Sequence, residues 1–88
     1  MIKVVSVKPL EGYKLELEFT SGERRVFRAE SYLDKGIFTE LKDPAYFRAA
    51  RVAGGTVTWP NEQDFAPETL YLESIPLADK LRRIRSGR

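Results

Sequence analysis

Residues 13–20 read Tyr-Lys-Leu-Glu-Leu-Glu-Phe-Thr, and apolar and polar side chains alternate through the whole segment. This period of two is typical of a β-strand with one buried face, because successive side chains point to opposite sides of a sheet. The predicted buried face carries Tyr13, Leu15, Leu17 and Phe19. The predicted solvent face carries Lys14, Glu16, Glu18 and Thr20.

Turn-forming residues flank this strand on both sides. Residues 2–8 are rich in β-branched side chains and predict a first strand, which ends at the turn chemistry of residues 9–12. On the other side, Ser21-Gly22 predicts a two-residue hairpin loop that leads into a third strand.

The two-residue loop predicts a definite register for this hairpin. The facing pairs are Glu18 with Arg25 and Leu17 with Val26. The same register places Phe27 on the polar face of the sheet, so it requires either a bulge or a segment that covers that face.

Residues 29–47 lose the period of two and are expected to form a crossover of short helical turns, broken at Gly36. Asp43 before Pro44 is a helix start signal, with Asp43 as N-cap and Pro44 at the first helical position.

A second hairpin is predicted at Gly54-Gly55, because glycine tolerates the positive φ angles of a tight turn. Its strands are residues 49–53 and 56–59. The predicted fold class is therefore α+β, with one small antiparallel sheet of about five short strands and short helical crossover segments.

Residues 59–70 contain the only tryptophan and two prolines. Pro60 cannot donate a hydrogen bond in a sheet, so the strand is expected to end at Trp59. Pro67 predicts the first position of a helix, and Asp64 or Asn61 is expected to bind its free amides because Ala66 is a poor N-cap. Two roles for Trp59 stay open, a roof over the core or an exposed anchor for a partner.

Composition limits the class of protein. The chain has 88 residues, a net charge of +2, 42% hydrophobic and 32% charged residues, and neither cysteine nor histidine. These values predict one small globular domain that is soluble and cytoplasmic, with no apolar run long enough to span a membrane. Without cysteine, the chain offers no disulfide or thiolate metal site, and no metal or cofactor is expected.

The charge is distributed unevenly. Residues 1–75 carry ten Lys or Arg and twelve Asp or Glu, whereas residues 76–88 have a net charge of +4. We therefore divide the chain into an α+β domain, residues 1–75, and a basic C-terminal tail, residues 76–88, predicted as an amphipathic helix. Its apolar stripe is Leu77, Leu81 and Ile84, and its candidate contacts with nucleic acid or an acidic partner are Lys80, Arg82, Arg83, Arg85 and Arg88.

The pattern W-P-N-x-x-D-x-x-P-E-x-L, with Trp59, Asn61, Asp64 and Glu68 in place, resembles the hallmark of a small bacterial family catalogued as domain of unknown function 2442. The resemblance covers about residues 1–73 and implies an α+β domain with an antiparallel sheet. This family has no established activity. Its members are often encoded beside another small protein, in arrangements similar to toxin–antitoxin pairs. A glycine often follows the asparagine in the family, whereas this chain has Glu62.

The absence of histidine removes the commonest general base and metal ligand. A pair of carboxylates, Asp64 with Glu62 or Glu68, remains available for acid–base chemistry. The alternative is that these residue types are present because they form the turn. No catalytic residue is assigned. We expect a non-enzymatic protein-interaction module, antitoxin-like within a two-gene pair, that binds a small protein encoded nearby or forms a homo-oligomer. The candidate partner surface is Trp59, Asn61, Asp64 and Glu68. The alternative is a nucleic-acid accessory protein that acts through the basic tail.

Overall fold

The computed structural model describes residues 1–77 and contains two antiparallel sheets with short helices between and after them. The strands are β1 (Val4–Leu10), β2 (Lys14–Phe19), β3 (Arg24–Arg28), β4 (Arg51–Ala53), β5 (Thr56–Thr58), β6 (Asp64–Phe65) and β7 (Ile75–Pro76). The α-helices are α1 (Pro44–Phe47) and α2 (Pro67–Leu72), and two 3₁₀ segments span Glu30–Tyr32 and Gly36–Lys42. The α+β class is confirmed. The prediction of a single sheet of about five strands is wrong, since one sheet has the order β1-β2-β3-β7 and the other β4-β5-β6.

The β2–β3 hairpin forms as predicted, but its predicted register is wrong by one residue. Its loop has three residues, 20–22, because the Phe19 amide donates to the Glu23 carbonyl at 3.0 Å. Gly22 closes the loop with a φ of +88°, a conformation that favours glycine. The facing pairs are therefore Leu17 with Arg25 and Glu16 with Val26.

The shifted register explains how Phe27 is buried. Phe27 faces Leu15 across the hairpin, and both side chains are fully buried on the core face. The burial of Phe27 therefore requires neither a bulge in the strand nor a segment that covers the polar face of the sheet. Arg25, two residues earlier, lies on the same face at its margin. Val26 lies on the opposite face, where it pairs with Ile75 and is only 3% exposed.

The second hairpin has the predicted form. Gly54 and Gly55 have φ angles of +61° and +80°, and Ala53 faces Thr56 directly across a two-residue loop. Positive φ at both central positions is the turn geometry that matches the twist of antiparallel strands. The Gly55 carbonyl also accepts the Val4 amide at 2.8 Å, which joins the two sheets at the start of β1.

The core lies between the two sheets and is closed by the crossover segment. Its members with no measurable exposure are Leu15, Phe27, Ala29, Leu41, Val57 and Leu70. Phe65 of β6 is at the centre of the aromatic contacts: it stacks on Phe38 with ring centroids 4.7 Å apart and meets Tyr32 and Phe27 edge-on at 5.1 Å. Stacked and edge-on pairs of this kind add to the stability gained from burial alone.

The crossover itself is confirmed as short helical turns. The Asp43 carboxylate accepts the Ala45 amide at 3.0 Å, and Pro44 occupies the first position of α1, as the sequence predicts. Phe47, the last residue of α1, is buried in the core.

The described chain ends just after β7. Ile75 and Pro76 pair with Val26 and Arg25, so Pro76 is part of the sheet. The predicted helix beyond Leu77 and the basic residues of the tail lie outside the described residues. Among residues 1–77 the structure contains no helix that is long and apolar enough to cross a membrane.

Candidate functional site

Trp59 belongs to the core. Its side chain is 1% exposed, and its ring contacts Phe47 and Phe65 with centroid separations of 5.9 Å each. The indole N–H donates to the carbonyl of Phe47 at 2.9 Å, so the ring fixes the end of α1 as well as filling the core. A side chain with this burial cannot be an exposed anchor, and the core alternative is confirmed.

The turn after Trp59 is a tight three-residue loop, residues 60–62. The Trp59 amide donates to the Gln63 carbonyl at 3.0 Å, and the Glu62 amide donates to the Trp59 carbonyl at 2.9 Å. Glu62 has a φ of +72°, a conformation that favours glycine. The closed loop therefore holds Glu62 in a strained backbone conformation.

We expect Glu62→Gly to raise the free energy of unfolding by about 0.5–1 kcal/mol. A non-glycine residue in the left-handed region costs about 1–2 kcal/mol, and the extra freedom of glycine in the unfolded chain offsets part of the gain. Urea unfolding followed by circular dichroism measures the difference. Glu62→Ala, which keeps a Cβ at this position, is the control and should not stabilise. A lower unfolding midpoint for Glu62→Gly would contradict the assignment of strain to this residue.

Gln63 has the densest polar contacts in the segment, and it was not among the residues predicted for a site. Its side chain is 3% exposed. Its Oε1 accepts the Tyr46 hydroxyl at 2.7 Å, and its Nε2 donates to Glu40 Oε1 at 2.8 Å and to the Ile37 carbonyl at 3.1 Å. The amide group is therefore satisfied on both sides within the protein, as a buried polar group must be.

Asn61 joins the same network from the exposed side. Its Nδ2 donates to Glu40 Oε2 at 2.7 Å, and its backbone amide donates to the Tyr46 hydroxyl at 2.8 Å. Together, Asn61 and Gln63 bind the β5–β6 turn to the 3₁₀ segment Gly36–Lys42 and to α1. Gln63 lies just outside β6 (Asp64–Phe65), so no strand period in the sequence indicates this role.

Asp64 and Glu68 differ from their neighbours because both are exposed. Neither forms a salt bridge within residues 1–77. The prediction that Asp64 or Asn61 binds the amides at the start of α2 is wrong, since Ala66 is the N-cap and no side chain caps it. Glu68 lies in the first turn of α2, where a negative charge stabilises the helix dipole, and Asp64 has no ion-pair partner among residues 1–77.

A second polar cluster surrounds Arg25 and fixes the end of α2. The Arg25 guanidinium donates to Ser74 Oγ at 2.7 Å, to the Ser74 carbonyl at 2.6 Å and to the Glu23 carboxylate at 2.6 Å. The same guanidinium lies 4.4 Å from the centre of the Tyr71 ring. The Tyr71 hydroxyl and then Arg25 lower the pKa of Glu23, and hydrogen bonding to Glu23 raises the pKa of Tyr71. The sequence did not predict this cluster, because the register of a two-residue loop places Arg25 on the solvent face.

A groove of about 370 Å³ opens between the β1–β2 turn and α1. It is lined by residues 9–13 of the turn and by Pro44, Phe47 and Arg48. We call it the turn groove. None of the residues in the Trp59-to-Leu70 segment lines it, and among residues 1–77 no three Asp or Glu side chains are grouped so as to hold a metal ion.

The described residues thus form a small antiparallel α+β domain in which the motif residues Trp59 and Asn61 bind neighbouring elements of the same chain. The chain belongs to the family described as protein of unknown function (DUF2442), whose model matches residues 4–76. The family resemblance stated from the W-P-N segment is confirmed. No curated protein and no solved structure matches the chain.

Proposed function

We propose that the chain is a non-enzymatic protein-interaction module, the antitoxin-like member of a two-gene bacterial pair, and that it binds the small protein encoded beside it. The observation that carries the proposal is the solvent face of α2. Leu72 is 75% exposed there, and Ile75, three residues later, is 42% exposed.

The charge on this helix face favours a protein partner. Glu68 and Leu72 are four residues apart and therefore lie on the same side of α2, while Leu70 points into the core. Asp64, which lies before α2 in β6, is also exposed. We call Asp64, Glu68, Leu72 and Ile75 the α2 surface. Leu72 is apolar, and the carboxylates of Asp64 and Glu68 form no salt bridge within residues 1–77. Such a surface is complementary to a protein with an apolar patch and a basic rim.

Asp64 and Glu68 belong to the predicted partner surface and remain part of the proposed one. Leu72 takes the place that was predicted for Trp59. Trp59 contributes by fixing α1 and by packing on Phe65, two residues before α2. Asn61 contributes through Glu40, which holds the turn before β6 in place.

Co-expression with the adjacent reading frame tests the proposal. We expect the two proteins to purify together and Leu72→Arg to weaken the complex more than about tenfold. Burial of a leucine side chain contributes about 1.5–3 kcal/mol, and tenfold in affinity is about 1.4 kcal/mol. Ile37→Arg is the matched control because Ile37 is 66% exposed on a different element, and it should leave the complex intact. Two proteins that elute separately at micromolar concentration would contradict the proposal.

A further inference from the structure

The turn groove is a preformed surface. Tyr13 has a φ of +60°, and its hydroxyl donates to the carbonyl of Lys42 just before α1. Its ring meets Phe47 edge-on with the centroids 5.3 Å apart. The β1–β2 turn is therefore fixed relative to α1, and a partner that enters the groove does not have to order it first.

The groove has apolar walls and two charges of opposite sign. Pro9 and Leu10 are half-buried on the turn side. Glu11 at the tip of the turn and Arg48 at the end of α1 are exposed, and within residues 1–77 neither forms a salt bridge with the other or with a third residue. The surface is thus neutral as a whole but carries an open position for a cation and an open position for an anion.

We propose that the turn groove is the interface of a two-fold symmetric dimer of this chain, in which Glu11 of each copy pairs with Arg48 of the other. In such an interface the same surface meets itself, and a contact from one residue to a second is repeated in reverse across the axis. One acid and one base in a single groove satisfy this condition, whereas a partner that is only basic or only acidic matches one of the two charges.

The exposure of the turn tip supports the same occupant. The turn tip, Glu11-Gly12, is exposed and forms one wall of the groove, so it is accessible to a second copy. Association of two copies through the turn groove would bury Pro9 and Leu10. A domain of this length buries a small core, and association adds the apolar burial that the single chain lacks. The interface shares no residue with the α2 surface. The test of the dimer is therefore independent of the test of the two-gene partner.

Sedimentation equilibrium of the full chain over about 1–100 µM tests the dimer against a monomer mass of 10.1 kDa. We expect twice that mass for the wild type. Because like charges then face each other, Glu11→Arg and Arg48→Glu should each raise the dissociation constant more than about tenfold. The double variant Glu11→Arg with Arg48→Glu should return it to within about threefold of the wild type, since the pair is restored in reverse.

Lys3→Glu and Glu62→Arg are the matched charge reversals outside the groove, and they should leave the dimer unchanged. Glu11→Gln and Arg48→Gln provide milder versions of the same test, and thermal melts confirm that every variant is folded. A monomer at all concentrations overturns the proposal. So does a dimer that is indifferent to the single reversals, or a double variant that remains as weak as either single one.

Discussion

Trp59→Ala is expected to lower the free energy of unfolding by about 3–5 kcal/mol, the range measured when a large aromatic side chain is removed from a core. The ring is 1% exposed and contacts both Phe47 and Phe65. Its removal also leaves the Phe47 carbonyl without the indole donor. Total stabilities of small domains are about 5–15 kcal/mol, so this variant loses a large part of the stability of the protein. Thermal unfolding should show a fall in Tm of more than about 12 °C.

Two controls separate the contributions of the ring and of its N–H group. Trp59→Phe keeps most of the apolar contact and removes the donor, so we expect a smaller loss of about 1–3 kcal/mol. Ile37→Ala truncates a side chain that is 66% exposed and should change stability by less than about 0.5 kcal/mol. A stable, well-folded Trp59→Ala protein would show that the indole does not hold α1 against the second sheet.

Gln63→Leu is expected to cost about 2–4 kcal/mol although the two side chains are similar in size. Leucine fills the space, but it leaves the Tyr46 hydroxyl and the Glu40 carboxylate without the partners that Gln63 provides at 2.7 and 2.8 Å. Glu40 is exposed and Tyr46 is half-buried, and both keep a contact with Asn61, so the loss comes from the three hydrogen bonds themselves, at about 0.5–1.5 kcal/mol each. Chemical unfolding measures the loss, and a variant as stable as the wild type would contradict the role of the network.

A charge exchange tests the contact between Gln63 and Glu40 directly. Gln63→Glu places two carboxylates against each other and should destabilise the protein at neutral pH. Combining it with Glu40→Gln restores one acid and one amide in exchanged positions, so the double variant should regain most of the lost stability. Additive losses in the double variant would show that the two side chains do not interact.

The local features of the fold were predictable from short segments of sequence. Leu15, Leu17 and Phe19 are buried as their alternation predicts, because the period of a strand is a property of its own backbone. Gly54-Gly55 and Asp43-Pro44 were predictable for the same reason, since each motif satisfies its own turn or cap within a few residues.

The register of the first hairpin was not predictable in this way. The residues Thr20, Ser21 and Gly22 fit a two-residue loop and a three-residue loop equally well, and the difference of one residue reverses which side chains face the core. Burial of Phe27 against Leu15 and Phe65 favours the longer loop. The same contact brings Arg25 beside Ser74, a residue 49 positions away.

The division into two sheets had no local signal either. β6 and β7 contain two residues each, too few to show a period, and they are strands only because they pair with β5 and β3. Gln63 is a similar case, because its three partners come from residues 37–46 and nothing next to it in the chain indicates that it is buried.

By itself, the sequence determined the fold class, the family, the two hairpins and the start of α1, because each depends on neighbouring residues. The tertiary structure alone decided that Trp59 and Gln63 are buried and that Leu72, Glu11 and Arg48 are exposed. Burial and pairing depend on residues that meet only after the chain has folded. For this reason the W-P-N segment identifies the family, whereas the surfaces proposed for function lie on α2 and at the turn groove.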